Sequence, residues 1–399
     1  MSPTDLRRRL LDENGKASRP LVWLLGFFAF LNVYSMQAVL PLVMEEFGAS
    51  PVQAGETVGA TVLAVAIVSP FIGILSDALG RKNIICASLF ALTIPTLLIP
   101  AADSLTMVLV MRFLQGLAIP GIAVVLIAYI AEEFRNLSVA KVTAAYVGGT
   151  VMGGFSGRFI TGHAGHLLGW RGAFVTLALM NLGGALLALW LLPASQHFVP
   201  NREFSSAFRT LGRHLRNARL LAACAVGFCV LYSLVGTFTY INLHLASPPF
   251  NMSAAGLANV FSVYLVGVVI TPLAGRFIVR LGFFRSLIGA LTLSALGLLT
   301  TLSPLLAAVI LGLVVCSCGV FICQSVTISF IGDNVSEGRS LATGIYYLCY
   351  YAGGAFGSWV VGLAYESGGW LYSVLSITVV QVVAVGIAWA GWRKPKAAC

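Results

Sequence analysis

Apolar residues fall in blocks about as long as a bilayer is thick, and this one feature decides what the chain can fold into. A helix crossing about 30 Å of hydrocarbon needs about 20 largely apolar residues. Such blocks lie near 21–43, 55–76, 84–101, 106–131, 139–161 and 172–192. After a polar stretch they resume near 220–243, 254–276, 286–303, 305–331, 341–365 and 371–391. Twelve spans consume most of the 399 residues and leave no stretch for a separate soluble domain. The period-two alternation of an outer-membrane barrel is absent. Only 10% of residues are charged, against about 25% in soluble domains, which argues against a soluble enzyme. The 58% hydrophobic content excludes disorder. The expected fold class is all-α integral membrane, with twelve transmembrane helices.

The net charge of +10 would suggest nucleic acid in a soluble domain, but the positions of the charges say otherwise. Twenty of the 24 basic residues fall on one side of the expected spans. They include Arg7, Arg8 and Arg9 in the N-terminal tail, Arg81 and Lys82 between spans 2 and 3, and Arg213, Arg216 and Arg219 before span 7. The opposite side holds Arg171 alone. Excess Lys and Arg marks the cytoplasmic face, so both termini are expected to be cytoplasmic. The charge is topogenic and implies no nucleic acid partner. Cysteines sit inside or at the ends of apolar spans, apart from Cys399, where they behave as small hydrophobes. No metal site is expected.

The polar stretch divides the chain into a tail (1–20), a six-helix bundle (21–192), a linker (193–219), a second bundle (220–391) and a tail (392–399). The halves echo one another. Gly73–Lys82 between spans 2 and 3 has a degenerate copy at Gly275–Gly282. Tyr146-Val147-Gly148-Gly149 matches Tyr351-Ala352-Gly353-Gly354, and Gly169-Trp170 matches Gly369-Trp370. Parallel six-span halves are a transporter plan. The run from Gly73 to Lys82 reads G-x-L-x-D-x-x-G-R-K, and Arg112-x-x-Gln115-Gly116 follows in span 4. Over nearly its whole length the chain resembles the major facilitator superfamily. It is most similar to the twelve-span drug/metabolite:proton antiporters, although Gly154 and Arg158 replace the proline and last glycine of that group's span 5 motif.

The resemblance implies two pseudo-symmetric six-helix bundles and alternating access. It implies proton-coupled export of a drug-like, polar or anionic metabolite, with no cofactor and the proton gradient as energy source. It also implies a monomer in the bacterial inner membrane. Proton-linked uptake by the same fold is the alternative, and a membrane-embedded enzyme a more distant one. Gly73, Asp77, Gly80, Arg81 and Lys82 are the expected gating motif. In the family reading Asp77 faces the N-terminus of span 11, near Ser340, and Arg81 competes for it. The bland reading of the same residues is a turn with topology signals.

Charges inside a span are costly and point to function by default. Arg112 and Arg158 fall on the outer side of the middle of their spans, and Glu56 begins span 2 near the same layer. They line a transport path in one reading and form a buried ion pair or snorkel in the other. No Asp or Glu lies near the middle of any span, which disfavours a cationic substrate. Asn32, Gln37, Gln115, Tyr232, Asn242, Gln324 and Tyr346 are further candidates for the path, each equally readable as an interhelical hydrogen bond. Gly149, Gly153 and Gly157, repeated as Gly353 and Gly357, form stripes on which another helix backbone can pack closely.

Overall fold

A computed structural model describes residues 18–134, 137–193, 195, 211–335 and 339–392. The tails at 1–17 and 393–399 and most of the linker, 196–210, lie outside the described residues, and with them many of the topogenic charges. Among the described residues all regular structure is helical. In order the helices are α1 (Arg19–Leu31), α2 (Leu40–Phe47), α3 (Pro51–Leu79), α4 (Arg81–Leu98), α5 (Leu105–Glu133) and α6 (Leu137–Leu191). Then come α7 (Ala218–Ala246), α8 (Ala254–Val260), α9 (Val266–Thr300), α10 (Leu306–Asn334) and α11 (Arg339–Trp392).

Length shows which helices hold two spans. The 55 residues of α6 would extend about 80 Å at 1.5 Å per residue, more than twice the hydrocarbon thickness. Its helical backbone breaks at Gly169 (φ 73°). In the same way α11 breaks at Gly368 and Gly369, and α9 breaks at Gly282. Divided at these breaks, and with α1–α2 and α8–α9 each continuing as one span, the described helices account for twelve spans. The repeat is written into the backbone as well. Gly80, between α3 and α4, has φ 90° and ψ 143°, and Gly282 has φ 75° and ψ 167°. Side chains with a Cβ rarely adopt such angles, so glycine is required at both turns.

The first apolar block reads as one helix but is built in two pieces. α1 ends at Leu31, a 3-10 turn covers Ser35–Val39, and α2 follows with a 49° bend. Pro41 sits in the first turn of α2, where its missing N–H is tolerated, and keeps the 3-10 turn from running on as one helix because its ring would clash with the Gln37 carbonyl. At the end of α1 the Asn32 carbonyl accepts from the Ser35 N–H at 3.4 Å and from the Ser35 hydroxyl at 3.1 Å.

The described residues fall into two compact units, one within Met1–Ala49, Ala60–Arg202 and Ser253–Phe261, the other within Ser50–Gly59, Glu203–Met252 and Ser262–Cys399. The first nine residues of α3 thus belong to the second unit, and α8 belongs to the first. Small residues set the closest packing within each. A Cβ on Gly149, Gly153 or Gly157 of α6 would lie 2.9 Å from the carbonyl carbon of Trp23, Phe27 or Leu31 of α1. In the second unit a Cβ on Gly353 would lie 2.6 Å from the carbonyl carbon of Phe228, and one on Gly357 would lie 2.8 Å from the Cα of Tyr232. Backbone meets backbone along both stripes.

Candidate transport site

Three polar clusters lie in the first unit. At the turn after α3, the Arg81 guanidinium pairs with Asp77 and reaches Glu132 of α5 at 2.6 Å. It also donates to the Ser76 hydroxyl. Arg81 is buried while both carboxylates keep partial access to water. Gly80 permits the turn, so the arginine that follows it points back over the end of α3. Gly73 has open space around it, and Lys82 follows Arg81 in the first turn of α4.

The second cluster surrounds Arg112, which is fully buried. Its guanidinium donates to the carbonyls of Asn32 and Val33, both at 2.8 Å, and to Gln115 Oε1 at 2.6 Å. The positive group therefore sits at the C-terminal end of α1, where the terminal carbonyls and the helix dipole favour a cation. Gln115 passes the network to Thr96 at 2.7 Å. Asn181 donates to Thr96 at 3.3 Å and accepts from Asn32 at 2.9 Å. Thr61 of α3 donates to the Arg112 carbonyl at 3.0 Å. Asn32 Oδ1 alone of the side-chain oxygens named here lacks a hydrogen-bond partner; the rest of the network specifies one geometry and makes each member costly to remove.

The third cluster surrounds Arg158, 1% exposed. Its Nε donates to Gln37 Oε1 and its Nη1 to the Gly154 carbonyl, each at 2.7 Å. The guanidinium lies 4.5 Å from the centre of the Tyr34 ring and 5.0 Å from that of Phe261. Aromatic faces attract a cation without supplying a counter-charge.

The candidates of the second unit are more dispersed. Tyr232 and Ser376 share a hydrogen bond at 2.9 Å. Asn242 donates to the Phe238 carbonyl at 2.6 Å, but its buried Oδ1 has no hydrogen-bond partner. Tyr346 is fully buried, stacked on Tyr350 at 5.6 Å, and its hydroxyl likewise lacks a hydrogen-bond partner. Gln324 is half-buried. Glu56 lies in the segment of α3 that clusters with the second unit, whereas Arg112 and Arg158 belong to the first.

Sequence reasoning passed over Glu132, Ser76, Thr96, Asn181, Tyr34 and Phe261. Asn181 carried a visible signal, being an amide inside an apolar block. The threonine and serine hydroxyls carried none, because such groups commonly bond their own helix; Thr96 also donates to the Leu92 carbonyl. Phe261 is one of 24 phenylalanines and nothing local distinguishes it.

Twelve apolar spans in two units, with buried arginines and a charged turn after the second span, are the features of an integral membrane protein of the transporter class. The family model described as Major Facilitator Superfamily matches residues 22–261 and 246–398. An uncharacterized transporter of Buchnera aphidicola subsp. Schizaphis graminum is 33% identical over 337 residues, 83% of this chain and 82% of the relative. The inner membrane transport protein YnfM of Escherichia coli is 31% identical, covering 90% of this chain and 87% of the relative. Among solved structures, a point mutant of the nucleoside transporter NupG aligns with TM-score 0.78 at 14% identity, over 94% of this chain and 100% of that one. At that identity the likeness shows the fold. The chain belongs to the major facilitator superfamily. It is a membrane transporter of small molecules and not an enzyme.

Proposed function

We propose that this protein exports a small polar or anionic metabolite in exchange for protons, acting as a monomer in the bacterial inner membrane with both termini cytoplasmic. The observation that carries the reading is the charge balance inside the spans. Two arginines are wholly buried there, and no carboxylate lies near the middle of any span. Exchange of a proton for a lipophilic cation is best served by a mid-membrane carboxylate, so a cationic cargo fits poorly. The two arginines have different roles. Arg112 is committed to the broken end of α1 and holds the first unit in shape. Arg158, held by a neutral amide and two aromatic faces, is the cation suited to attract an anionic or aromatic solute. The orphaned Asn242 Oδ1 and Tyr346 hydroxyl supply polar groups in the second unit, where an unmet hydrogen bond costs about 1–3 kcal/mol.

The proton gradient supplies the energy in this reading, with Glu56 and Asp77 the first proton carriers to test. Uptake by the same fold is favoured by one observation, the loss of the antiporter motif's proline and glycine at Gly154 and Arg158. Proteoliposome flux with benzoate, succinate, uridine and ethidium tests the substrate class. We expect flux of an anion, and we expect Arg158→Gln to raise its KM about tenfold or more, as loss of a charge-assisted contact requires. Ethidium as the only transported solute, with Arg158→Gln without effect on it, contradicts the reading.

A further inference from the structure

The N-terminus of α3 contains an unusual division of labour. Pro51 has no N–H to satisfy. Ser50 and Gln53 form a reciprocal capping box: the Gln53 amide accepts from the Ser50 N–H at 3.0 Å, and the Ser50 hydroxyl accepts from the Gln53 N–H at 3.4 Å. The Ala54 N–H reaches the Ser50 carbonyl at 3.0 Å. One donor of the first turn remains, the Val52 N–H. It is taken by Glu366 Oε1 at 3.0 Å, from a residue 314 positions away.

Glu366 is misplaced by the rules of its own helix. It lies in the last turn of α11 before the break at Gly368, where the helix dipole favours cations. It is well placed for α3, whose N-terminal end favours an anion. The packing beside it is close because glycines make room for side chains. A Cβ on Gly55 or on Gly362 would lie 2.8 Å from Cζ of Tyr240, which is buried and donates to the Ser358 carbonyl. A Cβ on Gly59 would collide with the Ser358 hydroxyl. The first two turns of α3 therefore seat closely on α7 and α11, with Tyr240 and Ser358 filling the space over Gly55 and Gly59 and Val52 reaching over Gly362.

We propose that Glu366 and the Val52 N–H form a latch that seats residues 50–59 on the second unit and releases them during the transport cycle. Further along, α3 is tied into the first unit by the bond from Thr61 to Arg112, within the buried network. Residues 51–59 of α3 belong to the second unit and the residues from 60 onward to the first, and parting of the first two turns from α7 and α11 breaks the bond from Val52 to Glu366. The glycine-lined end is the one that can part. Glu366 is exposed, so both partners rehydrate on release, and the local capping box keeps α3 from unravelling. Glu366 acts as a positioning residue, not as a contact for the transported molecule.

The inference rests on alternating access, but its test needs neither substrate nor gradient, so failure of the proposed cargo or coupling leaves it standing. In nanodiscs, Ser358→Cys places a thiol in the latch, and a water-soluble sulfonated maleimide is followed site by site by mass spectrometry. Glu366→Ala should speed alkylation at position 358 about tenfold, the scale of one charge-assisted hydrogen bond. Glu366→Gln, which keeps an acceptor, should give a smaller rise. Gly55→Ala, which drives a methyl into Tyr240, should also speed it. Buried Cys86, in the first unit, should react at an unchanged rate. Equal rates at position 358 with and without the carboxylate overturn the latch. A parallel rise at Cys86 also overturns it, because Glu366 would then support the fold in general.

Discussion

Asp77→Asn is expected to lower transport about tenfold or more while leaving the amount of inserted, folded protein unchanged. The two effects separate because of how Arg81 is held. Asp77 keeps 38% of its side chain exposed, so its pairing with Arg81 is screened by water and contributes little to stability. Without it, Arg81 still has Glu132 at 2.6 Å and the Ser76 hydroxyl. What the asparagine lacks is a charge that exchanges between partners. A gate biased by that charge carries a coupling of about 1–3 kcal/mol, or 5- to 150-fold. Arg81→Ala should behave differently, lowering folded yield together with flux, because it leaves Asp77 and Glu132 facing each other without the cation. Flux in proteoliposomes, normalised to folded protein by size-exclusion chromatography, checks both. Near-normal flux in Asp77→Asn would remove the gating role.

Gly153→Ala and Gly154→Ala should differ sharply although the residues are neighbours on one helix. A methyl on Gly153 meets the backbone of Phe27 in α1, which cannot turn aside as a side chain would. Overpacking of a tight interior costs about 1–3 kcal/mol, and a rigid backbone neighbour puts this case at the upper end. A methyl on Gly154 would come no nearer than 3.7 Å, to the Arg158 guanidinium. That substitution should be neutral or slightly stabilising, since alanine restricts the unfolded chain. Thermal unfolding in detergent checks the pair: a drop for Gly153→Ala and none for Gly154→Ala. Equal melting of the two would show that α1 and α6 do not meet backbone to backbone.

The spans were legible because hydropathy is summed over about 20 residues, a length fixed by the bilayer and indifferent to detail. The breaks at Gly169, Gly282 and Gly369 were legible through the repeat, since a glycine kept at matching places marks a backbone requirement. Pro41 carried the signal for the bend in the first span, hidden by the apolar residues around it. The partners of the charges were far less legible. A helix apolar on most of its circumference gives no phase, so sequence cannot say which neighbour Arg112 or Arg158 faces. Arg112 as a cap on a broken helix could be inferred only once the break was seen. Glu366 reads as an ordinary residue near a loop, because its partner is a backbone N–H 314 residues away.

In the proposed antiport a proton gradient drives the cargo outward. Purified protein in vesicles, preloaded with the panel solute that shows the largest flux, is subjected to a pH gradient of either sign, and both solute and internal pH are followed. Solute is expected to move against the direction of proton flow, the vesicle interior to change pH as it does so, and a protonophore to abolish the concentrative flux. A flux unchanged when the gradient is collapsed, or solute and protons moving together, contradicts it.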